Sequence, residues 1–267
     1  MSIQSIKVGE RADVRYLLRL ADSCLILAQR LGEWCGHGPI LEEDLALSNM
    51  ALDLIGQARG VLTRAGELDG QGFDEDQLAF LRDERQYFNP VLMELPNGAG
   101  QGGTQPGDFA FTQARNFAVA TWLLLLWQRL QASSDAEVAA IAGKAVKEAQ
   151  YHQQHAADWV VRLGDGTDES QARMNAALTR IWPFLNELFH DDAIDAAAVQ
   201  SGLGPAWSSL KPDWQAAMDE VLAEAGLTPP KASSYVSAGR VGIHSEHMGH
   251  MLAEMQYLQR AYPGGVW

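Results

Sequence analysis

Apolar residues recur at the helical period along nearly the whole chain, and one long stretch interrupts them: Asn89 to Gly107, NPVLMELPNGAGQGGTQPG. No segment alternates as a strand would. Asp13 to Leu31 is amphipathic and ends at Gly32, a residue suited to the turn beyond a helix end. A second helix opens near Pro39, with Glu42, Glu43 and Asp44 beside the positive end of its dipole. It is expected to turn Leu45, Leu52, Ile55 and Leu62 inward and to stop near Gly66. Asp74 to Gln86 reads as a shorter helix. Beyond the Pro/Gly stretch, Asp108 to Gln131 and Asp135 to Leu163 form a second long pair. Each opens on an aspartate that can accept from the free N–H groups of a first turn.

Two long helices, a crossover and two more long helices are the plan of a ferritin-like bundle. The sequence therefore predicts an all-α chain. A ferritin-like four-helix bundle core covers about 12–163, and additional C-terminal helices cover about 168–262, in a single domain of residues 1–267. The extension is read as Asp168 to Phe189, an acidic turn at Asp191 and Asp192, Pro212 to Ala225, and Val241 to Tyr262.

The formal charge is −14 and the sequence pI about 4.8, with no Lys/Arg run, which argues against nucleic acid and anionic membrane surfaces. Phe117 to Trp127 is the longest apolar run, and it falls short of the ~20 residues that span a bilayer. The first ten residues lack the charged-then-apolar pattern of a secretion signal. Cys24 and Cys35 on one helix would stand ~16 Å apart along its axis, beyond disulfide reach. They are expected to be reduced, buried thiols of a cytoplasmic protein.

A ferritin-like bundle raises the question of two irons. Such a site takes a Glu from each of two helices and a Glu-x-x-His from each of the other two. The second helix holds no histidine between Leu41 and Gly66, and Asn49 and Leu52 stand three apart where the motif is expected. Asp53 is a stray carboxylate there. In the Asp135 to Leu163 helix, Glu148, His152, His155 and Trp159 share one face. A Glu-x-x-His ending at His152 would need Glu at 149, and that residue is Ala149. The literal Glu187-Leu188-Phe189-His190 falls at a helix end. His244, His247 and His250, with Glu246 and Glu254, lie close together on the last helix, where packing or partner contact is the plainer role. The sequence thus predicts no metal ligands, with Asn49, Leu52, Ala149 and His152 as positions of an emptied site. Hydrolase, P-loop and dinucleotide signatures are absent, and Cys35 beside His37 lacks a third orienting group.

The stretches LAQRLGEWCGHGPILEEDLALSNMALDLIGQAR (27–59), FLRDERQYFN (80–89) and ELPNG (94–98) resemble the non-catalytic C-subunit family of phenylacetyl-CoA epoxidases. So do KEAQYH (147–152), RLGDGTD (162–168) and HMLAEMQYLQRAYPGGVW (250–267). The Gly98 to Gly107 loop is longer and richer in glycine than that family suggests. The resemblance implies a structural subunit of aerobic phenylacetate breakdown. In such complexes the catalytic A subunit holds the di-iron centre. A reductase with FAD and an iron–sulfur cluster supplies electrons from NADPH. The C subunit holds no cofactor and pairs with A. Trp122, Leu123 to Leu126 and Trp127 are a candidate apolar surface for that pairing. The competing readings are an autonomous ferritin-like oxidase using Glu148, His152, Asp53 and residues from the C-terminal helix, and a helical adaptor unrelated to oxygen chemistry.

Overall fold

The computed structural model describes residues 5–98 and 107–265, so most of the Gly98 to Gly107 loop lies outside the described residues. Along the chain come α1 (Ala12–Gly32), α2 (Leu41–Asp69), α3 (Glu75–Phe80), α4 (Val91–Glu94), α5 (Phe109–Leu130) and α6 (Ala136–Gly164). They are followed by α7 (Asp168–Ile181), α8 (Ala193–Ser201), α9 (Lys211–Glu224), α10 (Glu246–Met255) and α11 (Tyr257–Ala261). Among the described residues no sheet forms, and two isolated bridges pair Ile6 with Arg82 and Ala238 with Ile243. The contacts divide the chain into two compact units, residues 1–95 with 238–267, and residues 96–237.

In the first unit α1 is buried on almost every side from Val14 to Leu31, and its polar side chains Arg19, Asp22, Ser23 and Arg30 are drawn inside with the apolar ones. α2 packs along it. Its start follows the acidic first turn, and it runs past Gly66 to close on Gly70, whose positive φ of 69° turns the chain out of the helix. The inward face of α2 differs from expectation. Leu62 is buried, but Leu45, Leu52 and Ile55 are exposed, and Leu47, Met50, Leu54, Ala58 and Val61 face α1's side instead. α2 carries two apolar stripes, and period alone does not say which one is covered.

The helix expected over Asp74 to Gln86 opens as read, with Asp74 and Gln77 in a reciprocal capping box, but ends at Phe80. Arg82 is drawn wholly inside, where a continuing helix could not hold it. Part of the expected loop after Asn89 is the buried single turn α4, and the helix expected from Val241 starts at Glu246, capped by Ser245, and breaks at Gln256. Cys24 is buried in α1, whereas Cys35 lies past its end and is exposed, so only the first fits the expectation of buried thiols.

In the second unit α5 is the buried centre, with α6, α7 and α9 against it. Asp108 caps α5 by accepting from Phe111 N at 3.1 Å, and Asp135 caps α6 by accepting from the N–H groups of Glu137 and Val138. Trp122, Leu123, Leu126 and Trp127 are within 2% of full burial in this chain's own core. This corrects the reading of these four as a surface for a partner, while Leu124 and Leu125 between them are half-buried. Trp122 meets Trp207 edge-on at 4.7 Å, and Trp214 donates its indole N–H to Ala118 O at 2.8 Å. Each such aromatic contributes ~1.5–3 kcal/mol by burial. α7 gives way to a 3₁₀ segment at Trp182 because Pro183 has no N–H to continue it. The acidic turn at Asp191 and Asp192 opens α8, a helix that the apolar pattern does not reveal, with Asp192 accepting from Ile194 N. Among the described residues no helix is long and apolar enough to cross a membrane.

Candidate functional site

The helix faces decide where chemistry could sit. On α6 the interior row is Ala142, Ala145, Ala149, His152, Ala156 and Val160. His152 is therefore buried, at 5% exposure, and it stands among alanines. Glu148 is turned aside, with Lys144 Nζ 3.8 Å from its carboxylate, and His155 sits beside the Tyr151 ring at 5.9 Å. Trp159 meets Phe109 edge-on at 4.9 Å. A di-iron pair asks for carboxylates on that interior row, and methyl groups occupy it.

On α2 the expected remnant positions Asn49 and Leu52 are exposed, and Asp53 is half-exposed. The interior row bears Glu43, Leu47, Met50, Leu54, Gln57 and Val61, so its one carboxylate is Glu43 in the first turn and it has no imidazole. Glu187 and His190 part company: Glu187 is buried and accepts from Ser237 Oγ at 2.5 Å, while His190 faces out. On α10, His250 is exposed and His247 half-exposed. Among the described residues no three His, Cys, Asp or Glu side chains gather as metal ligands do. The groups present do not fit a di-iron centre.

Two buried polar features leave little trace in the sequence. Gln113 and Asn116 lie inside α5 at 0% and 4% exposure, spaced as a Glu-x-x-His would be but as neutral amides. Their signal is weak, since amides in an apolar helix carry no charge to mark them. The other feature is the carboxylate system of the first unit. Asp22, from the middle of α1, receives Arg82 through two nitrogens, one at 3.0 Å, and accepts from Phe88 N at 2.8 Å. Both side chains are fully buried. The Arg82 guanidinium stacks 4.2 Å over the Tyr87 ring, whose hydroxyl is pushed up to about 12 by burial.

Glu94, at the end of α4, is the second centre. It accepts from Asn89 Nδ2 at 3.1 Å, from Ser245 N at the start of α10, and from His244 Nδ1 at 2.7 Å. His244 Nε2 lies 3.0 Å from Tyr87 O. A carboxylate and a carbonyl both accept, so the two contacts suit the protonated imidazole, which donates from both nitrogens. Burial works against that charge, but the hydrogen bond to Glu94 and its charge outweigh burial and raise the His244 pKa above its ordinary value. The close packing reaches the backbone: a Cβ on Gly239 would stand 2.3 Å from Asn89 O. These bonds hold the start of α10 against α4 and the segment before it. The arrangement is a structural clamp: its carboxylates and imidazole are spent on one another and on the backbone.

Residues 2–267 match the family described as "Phenylacetic acid catabolic protein". The chain belongs to this family. A relative in Escherichia coli (strain K12), the C subunit of 1,2-phenylacetyl-CoA epoxidase, is 49% identical over 252 residues, covering 94% of this chain and 98% of that protein. The chain is thus a homologue of an epoxidase subunit of phenylacetate catabolism, with the all-α, ferritin-like fold expected from its sequence.

Proposed function

We propose that this phenylacetic acid catabolic protein is a non-catalytic, structural subunit of a phenylacetyl-CoA epoxidase, which pairs with and supports a di-iron catalytic A subunit. The similarity to the C subunit of such an epoxidase, 49% identical across almost the full length of both chains, carries the reading. The alanine row around His152 supports it, because a helix that ligates iron cannot spare its carboxylates. In this reading the chain binds no cofactor. Iron belongs to the A subunit, and NADPH, FAD and the iron–sulfur cluster belong to the reductase. The subunit works in the cytoplasm, away from nucleic acid and membrane, in keeping with its acidity and with Cys24 and Cys35 not being joined in a disulfide. Ala149 and His152 are the remnant of the emptied site.

The test is co-expression with an affinity-tagged catalytic A subunit. The expected result is one complex in which the two chains elute together at a fixed ratio through size-exclusion chromatography. Separate elution at micromolar concentration would overturn the pairing.

A further inference from the structure

The exposed stripe of α2 is a built surface without a role inside the chain. Leu41, Leu45, Ser48, Leu52, Ile55 and Arg59 follow one another at alternating steps of four and three residues. That 3.5-residue period is the seam by which one helix meets another lengthwise, each knob entering a hole on the facing helix. The four apolar members are 71%, 55%, 64% and 39% exposed. Gly56 lies beside them, exposed in mid-helix, where glycine costs ~1 kcal/mol against alanine. A Cβ there would meet nothing within 4 Å, so this chain's own packing does not require the glycine. The missing side chain leaves room there for close approach of another backbone.

Charge selects the occupant. Glu42, Asp44 and Asp53 border the apolar seam, and its basic member, Arg59, stands at the far end, where it pairs with Glu75 at 3.1 Å. A second copy laid parallel would set each acidic border against itself, and one laid antiparallel would offer a single arginine against several carboxylates. With a formal charge of −14, copies of this chain repel. The complementary surface is a helix with an apolar seam bordered by lysine or arginine.

We infer that the exposed α2 seam is the docking surface for such a helix of the catalytic A subunit. The inference rests on the pairing proposed above and names its place. From Leu41 to Arg59 the seam runs roughly 27 Å at 1.5 Å per residue, and with a helix about 10 Å wide it offers roughly 270 Å². A stable pair buries ~800 Å² on each partner, so α2 supplies the central third and the partner reaches past it.

Leu45→Glu and Leu52→Glu test this in the full chain, co-expressed with the tagged A subunit. Both positions are exposed, so the unfolding midpoint in urea stays near wild type. The expected result is binding weaker by about 30-fold or more, as for loss of a central contact, with Leu52→Ala weakened less. Val199→Glu, an exposed apolar position on α8, pairs as wild type does. Asp53→Lys slows association, and the wild-type rate falls as salt rises. If wild type pairs and both glutamate variants pair within about threefold of it, the α2 surface is wrong and the pairing stands. If wild type itself does not pair, the pairing proposal fails and this inference with it. If this chain alone sediments as a dimer that Leu52→Glu splits, the occupant is a second copy and the inference is overturned.

Discussion

Replacing Arg82 by methionine is expected to lower the free energy of unfolding by ~3–5 kcal/mol at neutral pH, the range for a buried charge stripped of its partner. The magnitude follows from what remains. Asp22 is fully buried, and the variant leaves its carboxylate with the Phe88 N–H as its other hydrogen bond. Two carbonyls lose a donor as well, Leu78 O and Gln86 O. The Arg82 carbonyl itself accepts from Gln256 Nε2 at 2.9 Å and Arg260 Nη2 at 3.1 Å. Methionine keeps the carbonyl and most of the volume, so the loss reports charge and donors rather than a cavity. The double change Asp22→Leu with Arg82→Met removes both charges and is expected to recover much of the loss. It stays below wild type by ~1–3 kcal/mol, because the Phe88 N–H is left without an acceptor. Urea unfolding of the three variants closes the cycle. A single-variant loss below ~1 kcal/mol would mean that the pair is not desolvated as described.

The second expected result is a stability that falls as pH rises, traceable to His244. The His244 pKa in the folded chain is raised above the ordinary 6.5, chiefly by Glu94 against the opposing effect of burial. Below 6.5 the unfolded imidazole is protonated too, so folding moves no proton and the contribution is whole. As pH climbs through the raised folded-state value, the folded imidazole loses its proton and the contribution goes with it. His244→Gln should be less stable than wild type at about pH 6 by ~3 kcal/mol or more, because it leaves the Glu94 charge buried and unbalanced. It should also flatten the pH dependence from there up to the raised value, while the wild-type and variant curves converge above it. Glu94→Gln should return the His244 titration, followed by NMR, toward its ordinary range. Parallel wild-type and variant curves would exclude His244 as the origin.

How far these features can be read from sequence depends on range. Helix starts are local, so Glu42 to Asp44, Asp108 and Asp135 announce α2, α5 and α6 from neighbours within one turn. The clamp is not local. Asp22 and Arg82 are 60 residues apart, and Glu94 and His244 are 150 apart, so neither pairing leaves a spacing to notice. α2 is legible as a helix but not in its orientation: two apolar stripes compete, and only the packing against α1 covers Leu47 and Leu54 rather than Leu45 and Leu52. The same ambiguity makes Trp122 and Trp127 look like surplus surface, when both are fully buried and Trp207 meets Trp122 edge-on. For the candidate site the reverse holds. That Ala149 stands where a Glu-x-x-His ending at His152 would need glutamate is checked by counting residues. Gln113 and Asn116 need burial to be noticed.

The central claim is that this subunit supports iron chemistry without holding iron. Its most direct test is metal analysis of the co-expressed complex, followed by separation of the two chains and analysis of each. The expected result is two irons per catalytic A subunit and none above background with this chain, whether it is isolated from the complex or expressed alone in iron-supplemented medium. Stoichiometric iron on this chain, accompanied by oxygen consumption in the absence of the A subunit, would contradict it.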